Sequence, residues 1–119
     1  MEKLTIREEE VMEIYWEHGP LFVRELLEIH SEPKPHFNTL STIVRSLEEK
    51  GFLSYNSLGN SHQYYPIVSK KEHSNSRLKG IVSKYFNNSF LTAVSSLVKE
   101  EEISLAELKE LIEKVENQK

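Results

Sequence analysis

Apolar positions recur at helical spacing along the first fifty residues and then begin to alternate. Ile6, Val11, Ile14 and Tyr15, widened by Met12 and Trp16, form one stripe. They predict a helix that starts at Thr5, where Thr5 and Glu8 stand at capping-box spacing. It stops at Gly19-Pro20, because glycine accepts a left-handed cap and proline cannot continue the ladder. A second helix is predicted over Val23–Ile29, with Val23, Leu26 and Leu27 buried. Residues 31–35 read as a loop, since Pro33 and Pro35 disfavour helix in the residues before them. A third helix is predicted over 37–50, with Leu40, Ile43, Val44 and Leu47 inward and Gly51 as its stop. Strand character follows over 52–56 and 62–66, around a predicted hairpin loop at 57–61. Leu21-Phe22 is placed to add a third short strand.

Beyond residue 69 the helical period returns. Ser69 and Glu72 have capping-box spacing ahead of Leu78, Ile81, Val82, Tyr85 and Phe86. Asn87-Asn88-Ser89 interrupts the pattern before Phe90, Leu91, Val94, Leu97 and Val98. Ser104 and Glu107 open a last helix carrying Leu105, Leu108, Leu111, Ile112 and Val115. The expected fold class is therefore mainly α with a small β-hairpin. A winged helix-turn-helix over 1–68 is followed by a helical region over 69–119. Three short amphipathic helices have no evident partner surface within one chain, so two chains are expected to supply it to each other.

Charge sharpens this picture. The net charge is −4, unsuited to binding nucleic acid by bulk charge. Residues 1–33 carry three cations against nine glutamates, a balance of −6. Residues 34–71 carry Lys34, Arg45, Lys50, Lys70 and Lys71 against Glu48 and Glu49, a balance of +3. The expected recognition helix and wing thus form the basic part of an acidic chain, and a local field steers binding whatever the total. The glutamates of the first helix, from Glu8 to Glu17, are expected to face solvent.

The third helix is rich in short polar side chains away from its apolar stripe: Asn38, Thr39, Ser41, Thr42 and Ser46, with Arg45 among them. Such a helix approaches base edges closely. Asparagine pairs with adenine, and threonine offers a hydroxyl or a methyl. Arg45 and Lys50 are expected to meet base or phosphate. In the wing, Asn60 and His62 are expected to hydrogen-bond phosphate beside Ser57 and Ser61. The rival reading is a protein-interaction winged helix that does not read DNA, favoured by the acidic first helix and the neutral wing.

Other chemistry is sparse. There is no cysteine, which excludes disulfides and thiolate sites and suits a reducing cytosol. The five histidines are spread without ligand spacing, so no metal site is expected. No nucleophile elbow or phosphate loop is present, and no enzyme activity or cofactor is expected. No apolar run approaches the ~20 residues of a membrane span. The Met1-Glu2-Lys3-Leu4 start does not resemble a signal peptide.

The ordered set of motifs resembles the penicillinase-repressor family of winged-helix transcriptional regulators (the BlaI/MecI/CopY group). The resemblance rests on Glu10-Val11-Met12-x-Ile14-x-Trp16, Val23-Arg24-Glu25-Leu26, Thr39, Leu47, Lys50-Gly51-Phe52 and Gln63-Tyr64-Tyr65. It continues through Phe90-Leu91, Leu97-Val98, Ile103-Ser104, Glu107 and Glu110-Leu111. It implies a cytoplasmic homodimeric repressor whose winged helices each read half of a palindromic DNA operator. Asn38, Thr39, Ser41, Thr42 and Ser46 then fall on the groove side. Dimer contacts fall on Leu78, Tyr85, Phe90, Leu91, Val94, Leu97, Val98, Leu108 and Ile112. Induction in the family implies a membrane sensor metallopeptidase as partner, cutting within the C-terminal helices. This chain departs in three places. It has Ser41, Ser46 and a neutral wing where family members often have cations. It has Ser96-Leu97 at the position of an Asn-Phe cleavage bond, and it lacks the Cys-rich end of copper-responsive members.

Overall fold

Among the described residues, helix-stop residues and β-alternation mark out six helices and a three-stranded sheet. The structure is a computed structural model and describes residues 3–117. Met1 and Glu2, used above in reading the start of the chain, lie outside them. The order is α1 (Ile6–His18), β1 (Leu21–Phe22), α2 (Val23–Ile29), α3 (Phe37–Glu49), β2 (Leu53–Leu58), β3 (Ser61–Pro66), α4 (Lys70–Tyr85), α5 (Phe90–Lys99) and α6 (Leu105–Asn117). The sheet is antiparallel in the order β1-β3-β2. Tyr64 pairs with Leu21 on one side and with Tyr55 on the other. This is a winged helix followed by a helical region.

Caps expected from spacing are formed. The Glu8 amide donates to Thr5 Oγ1 at 3.2 Å, and the Thr5 amide donates to Glu8 Oε1 at 2.8 Å. Ser69 with Glu72 and Ser104 with Glu107 make the same reciprocal pair. The end of α2 is closed by a more distant group. Lys34 Nζ donates to the carbonyls of Leu27, Glu28 and His30 at 2.8–2.9 Å, satisfying the orphan oxygens of a helix end.

The core of the winged helix is built from Leu4, Val11, Met12, Tyr15, Leu21, Leu26, Leu40, Val44, Leu47, Phe52, Leu53 and Tyr64. Two polar tips are satisfied at its edge. Tyr15 Oη donates to the Leu21 carbonyl at 3.2 Å, and Trp16 Nε1 to the Val68 carbonyl at 2.9 Å. Burial pushes the Tyr15 phenol well above its ordinary range, with Tyr64 and Glu25 adding to it.

Two expectations for α1 are corrected. Ile6 is 78% exposed, whereas Leu4, ahead of the helix, is buried. Glu8 is buried rather than solvated. At the first turn the face toward α3 is the face of the cap, so a carboxylate with partners occupies it and Ile6 turns away. The hairpin closes on its Gly-Asn turn, with strands that run beyond 52–56 and 62–66. Both strands extend through 57–58 and 61, leaving Gly59-Asn60 as a two-residue turn, with Leu58 opposite Ser61. Gly59 has φ +64°, a left-handed conformation that glycine enters without steric cost.

Contacts group the described residues into two compact units that meet in sequence inside α4, between Ser76 and Arg77. In the C-terminal unit, Ser89 caps α5 by accepting from the Thr92 amide at 3.1 Å. Neither α5 nor α6 contains a buried residue. Among the described residues, no helix is long and apolar enough to cross a membrane.

Candidate nucleic-acid interface

The apolar stripe of α3 decides which of its polar residues are available. Leu40, Val44 and Leu47 are fully buried, so the opposite face, with Asn38, Thr42 and Arg45, is exposed. His36 begins the helix, its ring Nδ1 accepting from the Asn38 amide at 3.1 Å. Thr42 Oγ1 donates to the Asn38 carbonyl at 3.0 Å. That bond uses the hydroxyl proton and leaves the oxygen as an acceptor on an exposed residue.

The two flanks of α3 differ. On one, Ser41, Arg45, Phe37 and Glu48 line a cleft of about 500 Å³ whose other walls come from the hairpin and the start of α2. Asn60, Ser61 and His62 reach it from the hairpin, with Tyr55 and Tyr64 beneath. On the other flank Thr39 and Ile43 line a second cleft, shared with Arg7 of α1 and the loop before α3.

Ser46 and Lys50, expected at the interface, are engaged elsewhere. Ser46 Oγ donates to Glu8 Oε2 at 2.7 Å, and Lys50 Nζ donates to Glu8 Oε1 at 2.7 Å and to the Lys3 carbonyl at 3.2 Å. Burial tends to raise the Glu8 carboxyl, but the Lys50 ammonium, the Thr5 amide and the Ser46 hydroxyl outweigh it. Together they bring it down to about 2 from an ordinary 4.5. The network ties the start of α1 to the end of α3 and thereby orients α3. Two further cations of the basic segment are also engaged. Lys34 caps α2, and Lys70 pairs with Glu13 at 3.0 Å in an exposed contact worth little energy.

The hairpin is stiffened by rings on one face. His62 stacks on Tyr55 with centroids 4.0 Å apart and planes 12° apart, and Tyr55 lies 5.5 Å from Tyr64. Tyr64 is buried and Tyr65 half-buried, as strand alternation predicts. Burial, with Glu48 and Tyr55 nearby, pushes the Tyr64 phenol up against the opposing influence of Arg45.

Arg24 was missed by sequence reasoning. It lines the cleft opposite the wing, with its guanidinium 5.6 Å from the Phe22 ring centroid. Its local segment is acidic, and only the pairing of Phe22 with Gln63 brings it beside the hairpin. Among the described residues, no group of three His, Asp or Glu is arranged to hold a metal ion.

The residues expected at a subunit contact lie in the helical region. Leu78, Tyr85, Phe90, Leu91, Leu97 and Ile112 are exposed, Leu91 at 81%, while Val94, Val98 and Leu108 are half-buried.

Comparison with known proteins agrees with this architecture. The chain is similar to the methicillin resistance regulatory protein MecI of Staphylococcus aureus, with 26% identity over 110 residues, 92% of this chain and 89% of that protein. It is similar to the penicillinase repressor of Bacillus licheniformis, with 22% identity over 118 residues, 98% of this chain and 92% of that protein. The penicillinase repressor family model matches residues 4–117, which takes in both the winged helix and all three C-terminal helices, and the chain belongs to that family.

Proposed function

We propose that this protein is a DNA-binding transcriptional repressor that acts as a homodimer on a palindromic operator. The observation that carries the reading is the outer face of α3. It presents Asn38, Thr42 and Arg45 from a rigid helix, beside a cleft walled by the wing. Short polar side chains there reach base edges, while the cleft and wing meet backbone. The names of the relatives, a penicillinase repressor and a resistance regulator, support the same class. The unburied apolar residues of α5 and α6 support a second copy as the partner of the helical region. Two half-sites read by linked winged helices gain avidity that one lacks. The protein acts by binding, without catalysis, and its setting is the cytoplasm.

Selection from random-sequence duplex DNA with the full chain at moderate salt tests the reading. An enriched palindrome supports a dimeric repressor and supplies its operator. No enrichment from a folded, dimeric protein moves the function to protein interaction, with the neutral wing as the reason.

Relief of repression is assigned to cleavage within α5 by a membrane sensor metallopeptidase. Ser96-Leu97 lies inside that helix, and cutting there would divide the apolar face offered to the partner. Incubation with such a peptidase should sever the chain and release the operator; an intact chain and complex would remove this part of the reading.

A further inference from the structure

The wing lacks fixed positive charge. From Leu53 to Pro66 there is no lysine or arginine. Yet the cleft between wing and α3 holds two guanidinium groups, Arg45 from α3 and Arg24 from α2. Arg24 is exposed, and its group lies over the ring of Phe22. Phe22 pairs with Gln63 of the wing strand, so the ring beneath Arg24 belongs to the same sheet as the hairpin. A guanidinium resting on a ring face keeps its N–H edge available to an anion. The Ser41 hydroxyl and the Asn60 and Ser61 side chains line the same cleft as neutral hydrogen-bonding groups. Glu48 is the opposing charge there, and the two arginines outnumber it.

We propose that Arg24 supplies the cation that the wing lacks, receiving an operator backbone phosphate in this cleft as a positioning residue. The inference rests on the reading of α3 as the operator-reading helix. A phosphodiester is the occupant that fits, because Ser41 and Arg45 belong both to the cleft and to the helix that would lie in the major groove. Backbone flanks that groove on either side. The positive charge absent from this wing thus enters the cleft from the start of α2.

The experiment is equilibrium binding of the full chain to its selected operator, titrated from about 50 to about 200 mM salt. Each neutralised phosphate contributes roughly 0.9 to the slope of log affinity against log salt. R24A is expected to reduce the slope by about that amount per half-site and to leave the selected sequence unchanged. The double variant R24A/S61R returns a cation to the cleft from the wing side and is expected to restore the slope. An unchanged slope in R24A overturns the proposal. So does a slope lost in R24A that S61R does not restore, which would mean that Arg24 acts through its packing on Phe22. An altered selected sequence in R24A also overturns it, because Arg24 would then read a base. Failure of the wild-type chain to bind any duplex is seen before these variants and counts against the operator reading itself.

Discussion

The Glu8 carboxylate, one of three consecutive glutamates, accepts from the Thr5 amide, Ser46 Oγ and Lys50 Nζ. Its depressed pKa makes it a pH-dependent contributor to stability. The carboxyl sits lower in the folded state than in the unfolded chain, so its contribution is complete above about pH 4.5 and is lost as pH falls through about 2. The shift corresponds to about 3 kcal/mol. Denaturant unfolding of the wild type should weaken by about that amount between neutral pH and pH 2 beyond what Glu8→Gln loses. At neutral pH, Glu8→Gln should cost about 2 kcal/mol, because Lys50 loses its anionic partner. On the outer face of α3, the reading of Thr42 as a base contact and Arg45 as a phosphate contact separates two variants. Thr42→Ala should lower operator discrimination by about 1 kcal/mol per half-site with little change in non-specific binding. Arg45→Ala should weaken both and reduce the salt slope by about 1 per half-site. Competition binding at two salt concentrations distinguishes them.

Helices and strands are where local signals were most legible. Capping pairs at Thr5, Ser69 and Ser104 depend on residues three apart, and each forms as spacing predicts. The α3 stripe is equally local, and Leu40, Val44 and Leu47 are its buried members. Ser57 and Ser61 resemble loop residues, yet cross-strand pairing beside the rings of Tyr55, His62 and Tyr64 carries both strands to the Gly59-Asn60 turn. The left-handed φ of Gly59 makes the turn sensitive. Gly59→Val should destabilise the winged helix by about 1–2 kcal/mol in thermal unfolding, since a β-branched residue is strained there. Operator affinity should fall further than stability predicts, because the wing shifts relative to α3.

For the whole molecule, α5 and α6 carry apolar faces with no buried member, which is costly for a monomer and ordinary for half of an interface. Under the dimer reading, Leu97→Asp places an unpaired charge in that interface. Sedimentation should then show monomers, and operator affinity should fall by roughly two orders of magnitude through lost avidity. A surviving dimer would place the contact elsewhere. The order of elements, the caps and the inward stripes were present in the amino-acid sequence, because periodicity, glycine and proline stops and capping pairs act over a few residues. The set of cations open to a partner was decided by tertiary structure alone. Lys50, from the basic segment, is held by Glu8, 42 residues away, while Arg24, from the acidic segment, reaches the cleft. Availability of a charge depends on neighbours brought from far along the chain: β1 pairing carries Arg24 to the wing, and α1 packing delivers Glu8 to Lys50.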